Sequence, residues 1–249
     1  MTDIPTTLDG LLNYRVALEQ PAVGYRVSVD TVFLAAAVPA KAGDRVLDMG
    51  CGVGGAMLSV ACRVAGVTGL GLEIQSDLAA LCRRNIARNA FASGLDVQQN
   101  DATQLPPDLH GLFDQVLINP PYHEESRHDV SSDRMKRAAN SEKAGDLGLW
   151  IKSAAVALKL SGFLTLIHRA DRQEEIIARL QNAFGSIEVL PLLPRKGEDA
   201  KRVIVRARKD VNRSVQIAHP LTLHKAEGGY TDQAEAVLRY CRAVEFRPL

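Results

Sequence analysis

Asn119-Pro120-Pro121-Tyr122 closes an apolar run that begins at Asp114, and its residue types suit chemistry on a planar amino group. Two prolines fix the backbone and remove two donors, so the Pro120 carbonyl can be held pointing into a site. An amino group conjugated to an aromatic ring or a carbonyl has a delocalised lone pair. Two acceptors, the Asn119 side-chain oxygen and the Pro120 carbonyl, would hold its hydrogens and orient the nitrogen for attack. No strong base is needed, because the proton leaves after positive charge has developed. Tyr122 adds a face on which a flipped-out base stacks, a contact of about 1–3 kcal/mol. The plainer reading of these four residues is a turn. Their place at the end of an apolar strand favours the chemical one.

A second constellation stands upstream. The run from Asp48 through Gly50, Gly52, Gly54 and Gly55 follows a short apolar stretch and precedes a helical pattern. Glycines at a strand-to-helix turn let a ligand approach backbone that side chains would otherwise screen. Through Gly50, Gly52 and Gly55 the run matches the dinucleotide fingerprint, with a pyrophosphate at the helix N-terminus. From Asp48 to Gly54 it matches a loop for S-adenosylmethionine. Asp48 favours the second, since a carboxylate repels phosphates and suits the cationic amino and sulfonium groups of that cofactor. Glu73, 25 positions after Asp48, can accept from both ribose hydroxyls under either reading. Asp101 can accept from an adenine amino group while the Ala102 backbone approaches the ring. These three acids end successive strand-like runs, and ligands of open α/β sheets lie across the carboxyl ends of the strands.

The elements that must hold these residues alternate from Arg45 onward as strand and helix, the signature of βαβ units. Strands are expected over Arg45–Asp48, Val67–Glu73, Leu95–Asn100, Asp114–Asn119, Phe163–His168, Ile187–Leu192 and Arg202–Arg208. Helices are expected over Gly55–Val64, Ser76–Phe91 (capped by Ser76), Leu147–Lys159 and Arg172–Phe184, with Gly162 and Gly185 ending the last two. Ser28–Val38 reads as a short helix capped by Ser28, and Thr231–Arg242 as a terminal one. The fold class is α/β: a doubly wound, seven-stranded, mostly parallel Rossmann-like sheet. One domain over 1–249 is expected, made of an N-terminal segment 1–43 packing on the cofactor site, a core 44–209 and an extension 210–249. The loop from Pro120 to Gly145 is long and basic, the kind that is usually functional or disordered.

Composition narrows the classes. At 249 residues, 46% hydrophobic and 24% charged, the chain buries a core without disulfides or metals. No apolar run reaches the ~18 residues of a membrane span. The acidic N-terminus lacks a leader's basic region, so a cytoplasmic location is expected. Cys51, Cys62, Cys82 and Cys241 form no CxxC pair, and free thiols and no metal site are expected. Net charge is +1 but unevenly spread: residues 1–125 carry −6 and residues 126–249 carry +7. The second half therefore has the charge for a nucleic-acid partner. Arg127, Arg134, Lys136, Arg137 and Lys143 supply candidate phosphate contacts, as does one face of the strand with Arg202, Arg206 and Arg208. His123 and His128 flank the basic loop and read as surface histidines.

Asp48 to Gly54, Glu73, Asp101 and the Asn-Pro-Pro-Tyr run together resemble the class I S-adenosylmethionine-dependent methyltransferases that act on amino nitrogens. Tyr25 to Val38 and Leu193 to Lys209 are similar to the valine-tRNA adenine N6-methyltransferases within that class. The resemblance spans roughly Gln20 to Lys209. It implies a reversed seventh strand, a role for Ser28 to Phe33 beside the cofactor, and an adenine in a tRNA anticodon loop as substrate. Three rivals stand beside it. A protein glutamine methyltransferase uses the same tetrapeptide, but 45 residues before Val46 leave no room for its usual helical domain. A small-molecule O-methyltransferase needs a base or metal, for which Asp114 and Asn119 are the candidates. A non-catalytic RNA-binding module would have no use for the cofactor acids.

Overall fold

The chain opens with a hairpin, β1 (Thr6–Leu11) and β2 (Val16–Pro21), followed by α1 (Val29–Ala37). Alternating units follow: β3 (Arg45–Met49), α2 (Gly55–Arg63), β4 (Thr68–Glu73), α3 (Ser76–Arg88), β5 (Leu95–Gln99) and β6 (Phe113–Ile118). Then come α4 (Asp146–Ala157), β7 (Leu158–Arg169), α5 (Gln173–Leu180), β8 (Phe184–Leu193) and β9 (Arg202–Lys209), and finally β10 (Gln216–Ile217), β11 (Leu221–Thr222) and α6 (Asp232–Leu238). The computed structural model describes residues 4–121, 146–211 and 214–249. Tyr122, His123, His128, Arg127, Arg134, Lys136, Arg137 and Lys143 lie outside the described residues.

The main sheet runs β10-β8-β9-β7-β6-β3-β4-β5, with β11 also on β8. All core pairs are parallel except those of β9, which is antiparallel to β7 and β8. The fold is thus the expected doubly wound α/β sheet with its last core strand reversed. Val116, Leu117 and Ile118 of β6 are all buried, because helices cover both faces and no residue of such a strand meets water. One core holds Leu18, Phe33, Leu58 and Leu81 between the sheet and the hairpin, α1, α2 and α3. The other holds Met49, Phe113, Leu158 and Ile176 under α4 and α5. Every residue of α1 from Thr31 to Ala37 is buried, so this helix is an apolar rod in the first core.

Several local expectations are corrected. The hairpin is new: β2 buries Val16, Leu18 and Gln20 with period two, and its turn places Leu12, Asn13 and Tyr14 in the left-handed region. Two side chains of α3 dock it. Asn85 Oδ1 accepts the Glu19 N–H (2.7 Å) and its Nδ2 donates to the Glu19 carbonyl (2.8 Å), while Asn89 does the same for Ala17 (3.0 and 2.8 Å). These amides stand in for a neighbouring strand along the edge of β2 that β1 leaves open. Engagement of Asn89 accompanies the end of α3 at Arg88, short of Phe91, and Gln75 rather than Ser76 holds the N-cap position. Gly162 and Gly185 terminate no helix; they lie inside β7 and β8. At Gly162 the pairing register with β6 shifts, Ser161 is left-handed, and a Cβ would meet the Asp114 carbonyl at 3.0 Å. Glycine there permits close backbone approach rather than helix termination.

The basic strand is also different from expectation. β9 is an interior strand, and Arg206 is held by Glu188 (2.7 Å) and lies over the Phe246 ring. Arg202 pairs with Asp30 (2.8 Å), and Arg208 donates to the Ser161 carbonyl and lies over Phe163. Their shared face is tied down within the protein, which corrects its reading as a free phosphate track. All four cysteines are free thiols. Among the described residues, no helix is long and apolar enough to cross a membrane and no cluster of metal-ligating side chains occurs.

Candidate active site

The carboxyl ends of β3, β4 and β6 meet where the strand order reverses, and a cleft of about 400 Å³ opens there. Asp48, Gly50, Gly52, Glu73, Asp101, Ala102, Asn119 and Pro121 all line it. Register explains the convergence: Asp48 pairs with Gly71 on one side and Leu117 on the other, so Glu73 and Asn119 each lie two residues beyond its partner. Gly54 stands outside the lining, at the N-cap of α2 with φ 90°. Pro120 is buried and is not among the residues lining the cleft.

The glycine loop is pinned by β4. Gly50 and Cys51 donate to the Leu72 carbonyl (2.8 and 3.0 Å), and Gly52 donates to Glu73 Oε2 (2.9 Å). Gly52 has φ 56°, and a Cβ on it would run into the Tyr25 hydroxyl; one on Gly50 would meet the Trp150 ring at 2.9 Å. Bare backbone is therefore required where Tyr25 and Trp150 close over the loop.

Asp48 is 3% exposed, and its Oδ2 accepts the Met57 N–H in the first turn of α2 (3.1 Å). Burial pushes its carboxyl up to about 7, with the Glu73 charge adding to the rise and the Met57 bond opposing it. Glu73 is also raised by burial, although Gly52 and Gln75 N–H groups bond its two oxygens. Among the described residues neither buried carboxyl has a basic partner, which favours a cationic ligand. Asp48 also takes an N–H at the helix end where a pyrophosphate would seat, which argues against a dinucleotide. The residues present therefore fit S-adenosylmethionine, with its ammonium and sulfonium groups.

Asp101 behaves differently. Its burial opposes ionisation, but bonds from the Thr103 hydroxyl and N–H and from Gln104 prevail and hold its carboxyl below the ordinary value. Those three bonds leave one of its four lone-pair positions for a ligand. The Ala102 carbonyl accepts the Ser153 hydroxyl (2.6 Å), locking this turn to α4.

Thr31, within the Ser28 to Phe33 segment expected beside the cofactor, lines the cleft, whereas sequence reasoning missed Tyr25 and Trp150, which line it too. Trp150 is the only tryptophan of the chain, a signal that a lone large aromatic near a ligand loop could have carried. Burial, then the neighbouring Asp48 and Glu73 charges, raise the Tyr25 hydroxyl well above its ordinary value, so it stays protonated and able to donate. Asp114, the candidate base for oxygen chemistry, lies at the opposite end of β6, bonded to Lys159 (2.8 Å) and the Arg45 N–H (2.9 Å). It faces no part of the cleft.

Comparisons with known proteins bear on the family. A relative in Shewanella putrefaciens, called tRNA1(Val) (adenine(37)-N6)-methyltransferase, is 27% identical over 213 residues, covering 84% of this chain and 88% of the relative. One of the same name in Parabacteroides distasonis is 25% identical, covering 86% and 89%. The crystal structure of a predicted O-methyltransferase from Agrobacterium tumefaciens superposes with a TM-score of 0.73 at 27% identity, covering 88% of this chain and all of that one. The model of the methyltransferase small domain family matches residues 23–192, and the chain belongs to that family.

Proposed function

We propose that the protein transfers a methyl group from S-adenosylmethionine to the exocyclic amino nitrogen of an adenine in tRNA. The observation that carries this reading is the meeting of Asn119 and Pro121 with the buried acids Asp48 and Glu73 in one cleft. Bound S-adenosylmethionine supplies an electrophilic methyl on a positively charged sulfur. Asp48 and Glu73 hold the cationic and ribose parts of the cofactor, the glycine backbone approaches it, and Asp101 with Ala102 borders its base. Asn119 Oδ1 and the Pro120 carbonyl accept the two hydrogens of the target amino group and aim its nitrogen, and Tyr122 gives the flipped base a stacking face. Two acceptors suffice because the amino proton is lost after the new N–C bond forms.

The relatives' names support tRNA as the acceptor, and so does the charge of +7 over residues 126–249. Oxygen methylation lacks support within the described cleft, whose only carboxylates are those assigned to the cofactor. In a test with isotopically labelled S-adenosylmethionine and an unmodified tRNA transcript, N6-methyladenosine should form. Asn119→Ala should abolish most turnover and leave cofactor affinity nearly unchanged. Fluorescence of the sole tryptophan, Trp150 in the cleft wall, reads that affinity directly. An active Asn119→Ala enzyme, or label appearing only on a glutamine side chain, would overturn the reading.

A further inference from the structure

A second cavity, of about 490 Å³, lies at the other end of α2, lined by Arg15, Cys62, Arg63, Ala236, Tyr240, Cys241 and Arg242. The glycine loop starts α2 and Arg63 ends it, so the nine residues of the helix separate the two sites by about 13 Å. The arginines come from three distant parts of the chain: the hairpin turn, the end of α2 and the segment after α6. The Arg63 guanidinium is held in place by backbone. Arg63 Nη2 donates to the Ala35 and Val38 carbonyls (3.0 and 2.6 Å), at the end of α1. Cys241, in the left-handed region with φ 58°, reverses the chain after α6, and the Arg242 N–H closes on the Ala236 carbonyl (3.1 Å). Arg15 follows the left-handed hairpin turn directly.

No carboxylate lines this cavity, and among the described residues none pairs with Arg15, Arg63 or Arg242. Eleven other arginines among the described residues pair with an acid; Arg239, one turn away, takes Glu235. Nor does Cys62 supply the missing charge. Burial first, then Cys241, pushes Cys62 up to about 11, so it is neutral at pH 7. The Arg63 Nε is buried without an acceptor. Three arginines lining one cavity without an internal anion form a site for an external one, and their planar donors match phosphate oxygens.

We propose that this cavity binds a phosphate group, either a phosphodiester of an RNA or a free phosphorylated compound. A neighbouring groove of about 660 Å³ shares Arg242 and runs past His219 to Arg247, whose charge is met by Glu245 in the same lining, so the free cationic character is confined to the first cavity. The inference does not depend on which nitrogen is methylated, and its first readout is not activity.

The test uses the full chain with inorganic phosphate as probe. Thermal denaturation is compared in phosphate and in chloride at matched ionic strength, for wild type, Arg15→Glu/Arg242→Glu, and the control Arg239→Glu. Wild type and control should be stabilised by phosphate in proportion to ln(1 + [phosphate]/Kd), and the double variant should not. Cofactor quenching of Trp150 reports that each variant is folded; Arg15→Gln/Arg242→Gln replaces the double variant if it is not. RNA affinity then separates the two sources. A loss of about tenfold or more, with the log–log salt slope lowered by about two, assigns an RNA phosphodiester. Unchanged RNA affinity with lost phosphate stabilisation assigns a free phosphorylated compound. Absence of phosphate stabilisation in the wild type, or its survival in the double variant, overturns the proposal.

Discussion

Replacing Asn85 by alanine should unfasten the N-terminal hairpin from the core. Asn85 has no exposed surface, and it makes three hydrogen bonds to backbone: with the Glu19 N–H (2.7 Å), the Glu19 carbonyl (2.8 Å) and the Val53 carbonyl (3.0 Å). A buried polar group left without its partner costs about 1–3 kcal/mol. At the lower figure for each, the substitution costs about 3 kcal/mol. For a chain of this length 1 kcal/mol shifts Tm by roughly 2–4 °C, so a fall of about 6–12 °C is expected by circular dichroism. Asn85→Leu should cost at least as much, since it keeps the volume and loses the same bonds. Arg84→Ala is the contrast: its ion pair with Glu19 (3.1 Å) has a half-exposed guanidinium, and such pairs contribute about 1 kcal/mol or less. Because Val53 belongs to the glycine loop, Asn85→Ala should also weaken cofactor binding. If Asn85→Ala were no less stable than Arg84→Ala, the amide ladder would not be what docks the hairpin.

The raised Asp48 carboxyl makes stability pH-dependent. Between the ordinary aspartate value of 3.8 and about 7 the folded protein holds a proton that the unfolded chain has released. Stability of the ligand-free protein should therefore fall as pH rises through that window, by at most about 1.4 kcal/mol per pH unit, and Asp48→Asn should flatten the slope in urea titrations. Cofactor binding near pH 6 should release a proton, seen as a buffer-dependent calorimetric enthalpy; a buffer-independent enthalpy would contradict the cationic assignment. Gly52→Ala, at φ 56° and against Tyr25, should cost about 1–2 kcal/mol from the backbone alone and more from displacing the ring. Gly52→Ala should also weaken cofactor binding, and adding Tyr25→Ala should recover part of that affinity; no recovery would mean that Tyr25 does not close over the loop.

The cleft was legible where chemistry and periodicity coincide. Asp48, Glu73 and Asn119 stand at the ends of apolar runs, and parallel pairing brings those ends together, so their convergence follows from one-dimensional order. The hairpin was hidden because Leu12 and Tyr14 adopt left-handed backbone without glycine, leaving only Asn13 to signal the turn. Its strand β2 is completed by side chains of α3 more than sixty positions away, which no local pattern encodes. Arg206 reads as a free cation beside other cations, and only the pairing of β8 with β9 sets Glu188 beside it. Tyr25 and Trp150 enter the cleft from parts of the chain far apart in sequence, a matter of packing rather than spacing. Asp101 lines the cleft, yet most of its hydrogen-bonding capacity serves its own turn.

The most direct test of the central claim is mass mapping of modified nucleosides in tRNA from cells lacking the gene, with wild-type and Asn119→Ala chains returned separately. An N6-methyladenosine should disappear from one tRNA species, return with the wild-type chain, and stay absent with Asn119→Ala. An unchanged tRNA profile, accompanied by loss of a methyl group from a protein glutamine, would contradict the assignment of adenine as the acceptor.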